Sequence, residues 1–157
     1  RENDMAHKKS IDVLNDLIET SRDGAEGFKK CAEDAKDPQL KAYFLDRAKS
    51  CEEAVQALTE EIIKYGGRLD APGTFKGTLH RFWIDVRNAL TDKDNLAVLE
   101  ECERAEDVAL KAYQDALKEE MPDSLHSLIT LQLQGVKRNY DRVRELRVEA
   151  ENNPLKA

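Results

Sequence analysis

Turn-forming residues are sparse in this chain, with 7 Gly and 4 Pro among 157 residues, too few for the many connections of a multi-stranded sheet. Cysteine is sparse as well. Cys31, Cys51 and Cys102 are odd in number and no pair has CxxC spacing, which argues against a disulfide framework and fits a reducing, cytoplasmic setting. No apolar run approaches the roughly 18 residues of a membrane span and no signal-peptide core is visible, so neither a membrane nor export is expected. Positive charge is also in deficit: a net charge of -7 argues against a nucleic-acid partner, because such affinity rests mostly on Lys and Arg displacing counterions. The densest basic stretch, KRNYDRVRELR from Lys137 to Arg147, is interrupted by Asp141 and Glu145 and reads as a solvated, ion-paired face.

What remains is a chain of single-domain length, 40% hydrophobic and 36% charged, whose apolar residues recur at helical steps. Ile11, Leu14, Ile18, Ser21, Ala25, Phe28, Ala32 and Ala35 form one stripe from about His7 to Ala35. Asp37 and Pro38 are a cap followed by proline at the first helical position, and the next stripe runs Leu40, Phe44, Ala48, Cys51, Val55, Leu58, Ile62 and Tyr65 to a stop at Gly66 and Gly67. Residues 66 to 94 are too long for a tight turn. They carry their own amphipathic stretch, Phe75, Leu79, Phe82, Trp83, Val86 and Leu90, with Thr74 as its candidate cap. Thr91 with Asp94 resembles a capping box ahead of a third long helix with Leu99, Cys102, Glu106, Ala109, Tyr113 and Ala116 on one face. Pro122 breaks it, Asp123 is placed to cap the last helix, and Leu125, Leu128, Gln132, Val136, Asn139, Val143 and Leu146 continue to about Glu149.

The order is hairpin, long crossover, hairpin, and the two hairpins echo each other in AEGFKKCAEDAKDP and AEDVALKAYQDALKEEMPD. One long crossover is the connectivity of ferritin-like bundles. The expected fold is therefore all-α, a ferritin-like four-helix bundle over residues 7–150 whose crossover contains a short fifth helix. Residues 1–6 read as a tag remnant or disordered leader with Met5 as a native start, and residues 151–157 as a C-terminal tail.

The stretch from Ser21 to Leu58 resembles the first two helices of the ferritin-like superfamily, especially rubrerythrin-like proteins. From about residue 8 to 149 the chain is similar to a bacterial family of uncharacterised ferritin-like bundles, on the residues DGAEGF, DPQLKAYF, GTLHRFW, ECERAED and NYDRVRELR. The resemblance implies a fold and no established activity. In the superfamily a di-metal site takes a Glu from each of two helices and a Glu-x-x-His pair from each of the other two. Carried onto this chain, only Glu106, seven positions before Tyr113, matches. Ser21 stands at the first-helix position, Cys51 and Ala54 at the Glu and His of the second, and Gln132 and Asn139 are the inward polar residues of the last helix, which has no Glu-x-x-His. A rotation of the helices would instead bring Asp23, Glu26, Glu52, Glu53 or Glu103 inward.

Glu106 is thus the tentative metal residue, with Cys51 and Cys102 near its level as further tentative ligands of a soft-metal or redox pocket. Taken as a lone buried acid, Glu106 is expected to be replaceable by Gln at little or no cost in stability. No cofactor is expected, with iron or manganese as the alternative, and no catalytic residue is assigned. His7 and His126, each three residues after an Asp, mark a conceivable surface metal site, whereas His80 reads as a crossover-surface residue. Phe75, Phe82 and Trp83 are read as packing the crossover, with Leu69 and Ile84 as candidate homo-oligomer contacts. Small residues at Ala25, Ala48, Ala54 and Ala109 leave room for a small apolar ligand or a partner helix. The favoured function is a non-catalytic bundle with a degenerate metal site, acting as an interaction or stress-associated protein with an unidentified protein partner. The alternative is a noncanonical iron or manganese protein that handles oxidants through Glu106 and neighbouring acids.

Overall fold

The structure, a computed structural model, describes residues 2–67 and 76–153. It is all-α, with five helices: α1 Glu2–Asp34, α2 Pro38–Lys64, α3 Lys76–Thr91, α4 Asn95–Ala116 and α5 Asp123–Asn152. No helix among the described residues is long and apolar enough to cross a membrane. The first helix, expected from about His7, begins at Glu2, and the last continues to Asn152. Thr74, Leu69 and Phe75 lie outside the described residues, as do the side chains of Asp4, His7, Leu79, His80 and Phe82.

Local chemistry accounts for most of the boundaries. The Asp37 carboxylate accepts from the backbone N–H of Gln39 at 2.8 Å and of Leu40 at 3.1 Å, and Pro38 follows where no donor is needed. α2 closes in a Schellman motif. Gly66 takes φ +74°, its N–H donates to Ile63 O, and the Gly67 N–H reaches back to Ile62 O at 2.9 Å.

Two expected caps differ. Asp94 alone caps α4, accepting from Ala97 N–H at 3.0 Å, while Thr91 ends α3 with its hydroxyl on Arg87 O. The three-residue spacing of a capping box is present, but Asp94 occupies the cap itself rather than the third helical position. At α5 the cap position falls on Pro122, which makes no side-chain cap bond, and Asp123 lies in the first turn, where its charge complements the helix dipole.

The helices enclose two apolar clusters. One joins Phe28, Cys31, Tyr43, Phe44, Val86, Val98, Cys102 and Val143. The other joins Leu14, Ile18, Leu58, Ile62, Tyr113, Leu125 and Ile129. Following each helix from cluster to cluster gives its direction: α1 and α5 run from the second to the first, and α2 and α4 from the first to the second. The crossover therefore returns the chain along the length of the core before α4 begins. α1 packs closely on α2 and α4 on α5, α3 bridges α1 and α4, and α2 and α5 are the loosest of the packed pairs.

Trp83 and Val86 of the crossover pack inward as expected. The Trp83 ring meets Phe28 edge-on with centroids 4.9 Å apart, and Val86 is fully buried. Ile84 is 46% exposed. Along the basic stretch of α5, Arg142 pairs with Asp46 at 2.8 Å, and Arg147 pairs with both Glu103 and Glu151.

A Cβ on Gly27 would overlap the Trp83 indole, so the absence of a side chain on α1 is what lets α3 dock. Overpacking of this kind costs about 1–3 kcal/mol. Gly27→Ala is expected to lower stability by that amount in urea unfolding and to red-shift the fluorescence of Trp83, the sole tryptophan. Parental stability and an unshifted spectrum would contradict this docking.

Candidate functional site

Where the two apolar clusters meet, the long helices share an interval of small and polar residues. Thr20 and Ser21 mark it on α1, Cys51 and Ala54 on α2, Glu106 on α4, and Gln132 and Asn139 on α5. A cavity of about 450 Å³ lies at this level, and all these residues line it. Ser50 and Glu53 of α2 and Leu131 and Arg138 of α5 are exposed lining residues, so its mouth lies between the loosely packed α2 and α5.

Glu106 is the chemical centre of the interval. It is 1% exposed, and its Oε1 accepts from Arg47 Nε at 2.9 Å and from the Tyr43 hydroxyl at 3.3 Å. Arg47 is 6% exposed, and its guanidinium stacks over the Phe28 ring with Cζ 5.1 Å from the centroid. Burial pulls the Arg47 pKa down, but the neighbouring Glu106 carboxylate leads the contributions that more than reverse it, and the net shift is upward. Glu106 Oε2, also buried, has no hydrogen-bond partner among the described residues. Nearby, the Tyr113 hydroxyl donates to Gln132 Oε1 at 2.9 Å, tying α4 to α5.

Arg47 lies off the stripe expected from the sequence to face the core. The chosen stripe steps from Phe44 to Ala48, yet Leu40, Tyr43, Arg47, Cys51 and Ala54 obey the same rule of threes and fours. An arginine on that parallel line, with Tyr43 one turn before it, is the signal that was available. Its presence changes the expectation for Glu106. The acid is not alone, and its removal strands a buried guanidinium.

The tentative ligands are placed as follows. Cys51 lines the cavity beside Arg47, and Cys102 is fully buried one turn before Glu106 in the first apolar cluster. Burial pushes both thiols up in pKa, Cys102 well above its ordinary value, and pushes Cys31 to about 12. All three are therefore neutral thiols near neutral pH, whereas a soft-metal ligand or nucleophile is a thiolate.

The acids that helix rotation would have brought inward mostly serve the surface. Glu26 pairs with Lys30 at 3.1 Å, Glu52 lies 4.0 Å from Lys29, and Glu103 holds Arg147. Only Glu53 lines the cavity, as one of its exposed residues. Among the described residues no group of three or more His, Cys, Asp or Glu side chains is close enough to hold a metal ion. His126 is exposed.

A family model described as a domain of unknown function (DUF2383) matches residues 9–119. The chain belongs to that family. The match spans α1 to α4 and so includes Arg47, Cys51, Cys102 and Glu106, whereas the DUF2383 region ends before α5 with Gln132 and Asn139. None of the curated proteins compared with the chain matches it.

Burial holds several acidic protons on this DUF2383 core. It raises Tyr43 well above its usual 10.0, Tyr113 to about 12, and Cys31 from 9.0 to about 12. These groups ionise more readily when unfolded, so the unfolded state binds fewer protons as pH rises and stability falls. The protein is expected to lose stability progressively from about pH 9 to 12 in urea titrations, with Tyr113→Phe flattening the slope above pH 10. A slope unchanged by that substitution would contradict the burial assigned to Tyr113.

Proposed function

We propose that this chain is a non-catalytic, ferritin-like four-helix bundle of a bacterial cytoplasm in which a protein-supplied cation has replaced the metals of the central site, and that it serves as an interaction or stress-associated protein. The observation that carries the reading is the buried Arg47–Glu106 pair at 2.9 Å. The ferritin-like assignment is supported by the helix directions: α1 opposed to α2, α4 parallel to α2, and α5 opposed to α4, with one long crossover between the hairpins. The bacterial and cytoplasmic assignments rest on the family resemblance and on three unpaired cysteines.

The residues present do not fit a di-metal centre. A divalent ion gives up hydration only where several charged oxygens replace it, and the single inward carboxylate already neutralises a guanidinium. An incoming cation would have to displace Arg47, which is wedged against Phe28. The alternative reading, an iron or manganese protein handling oxidants, draws on one observation, the partnerless Oε2 of Glu106. Its weakness is that the neighbouring acids it needs are engaged elsewhere, Glu26 with Lys30, Glu52 with Lys29 and Glu103 with Arg147.

Metal loading separates the two. Tag-free protein exposed anaerobically to ferrous iron and then to oxygen is expected to retain no stoichiometric metal and to develop no oxo-bridged absorption band. About two metals per chain with such a band would overturn the proposal.

The ion pair makes its own prediction. Breaking one partner of a buried pair costs about 3–5 kcal/mol, whereas replacing both with apolar residues of similar size is often neutral. Arg47→Met, Glu106→Gln and Glu106→Leu are each expected to lose about that much stability, and Arg47→Met combined with Glu106→Leu much less than the sum of its own two single losses. Additive losses in denaturant unfolding would show that the two side chains are not coupled.

A further inference from the structure

We propose that the cavity between α2 and α5 is a binding site for a small, uncharged, mostly apolar molecule carrying one hydrogen-bond donor, which Glu106 Oε2 receives. The inference rests on the metal-free reading of the centre and adds to it a ligand class.

Three observations converge. The cavity, about 450 Å³, falls in the range of small-molecule pockets, and its mouth is open between α2 and α5, the most loosely packed pair. Its walls combine apolar side chains, among them Phe28, Ala54, Ala109, Leu128 and Val136, with polar ones that include Ser21, Gln132 and Asn139. Glu106, 1% exposed, lines it and brings one oxygen that no described residue satisfies, while the other oxygen already serves Arg47 and Tyr43. A buried acceptor left without a donor is destabilising. A water would satisfy that oxygen but would leave the apolar walls without contacts.

The electrostatics select the class. An anion would face the Glu106 carboxylate. A full cation would face the Arg47 guanidinium, which has already neutralised that carboxylate. A neutral O–H or N–H donor suits the remaining oxygen and costs little to desolvate. Small side chains at Ala54, Ala57 and Gly135 keep the mouth between α2 and α5 clear, and a Cβ built on Gly135 meets only the Arg138 guanidinium, at 3.6 Å.

The test is calorimetric titration of the full chain with indole and with phenol, each against an analogue of similar shape that lacks the donor, benzothiophene and toluene. At least one donor probe is expected to bind one to one, about tenfold to a hundredfold more tightly than its analogue, the range of a hydrogen bond to a charged acceptor. Ala109→Leu, which fills the cavity while leaving Arg47 and Glu106 in place, is expected to abolish binding without loss of helix content. Equal affinity for probe and analogue would overturn the role of Glu106, and binding retained in Ala109→Leu would overturn the location. A folded, metal-free protein that binds neither probe would overturn this inference alone, whereas stoichiometric metal retention would overturn the reading beneath it.

Discussion

The buried ion pair between Arg47 and Glu106 is the constraint on which the middle of the core depends. An unpaired charge at either position would be strongly destabilising inside a core flanked by apolar clusters, so α2 and α4 must be aligned along their length for both residues to be present. The pairing sets how the two hairpins meet, because Arg47 belongs to one and Glu106 to the other. Phe28 on α1 stacks on the guanidinium, and Trp83 on α3 meets Phe28 edge-on in turn, so the crossover is tied to the same feature.

That arrangement has a chemical consequence. A carboxylate at mid-height in a helical core can serve a metal, a proton relay or a protein cation, and which it serves depends on its neighbours. Here the neighbours are a guanidinium, a tyrosine hydroxyl and thiols held neutral by burial. The pair is electrically balanced but incompletely hydrogen-bonded, since Oε2 has no partner among the described residues. A balanced charge with one open acceptor, beside a cavity, suits recognition of a neutral donor better than activation of oxygen.

The helices and most of their ends were legible because they follow local rules. Asp37 with Pro38, and Gly66 with Gly67, act within a few residues of themselves, and no distant contact is needed to read them. Thr91 and Asp123 misled for a related reason: residues of capping type stood within three positions of the true caps, and only hydrogen-bond geometry distinguishes them. The inward stripes were legible too, and Glu106 was found because it interrupts one.

By itself the sequence determined the all-helical class, the hairpin–crossover–hairpin order and the singular position of Glu106, because periodicity and turn chemistry are written along the chain. Only the tertiary structure decided what Glu106 pairs with. Its partner, Arg47, lies 59 residues away on another helix and sits on a helical line as regular as the one read as the core stripe. A periodic pattern gives the direction of a side chain to within about one helical row, whereas an ion pair is settled by distances of about 1 Å between helices, which no spacing along one chain encodes.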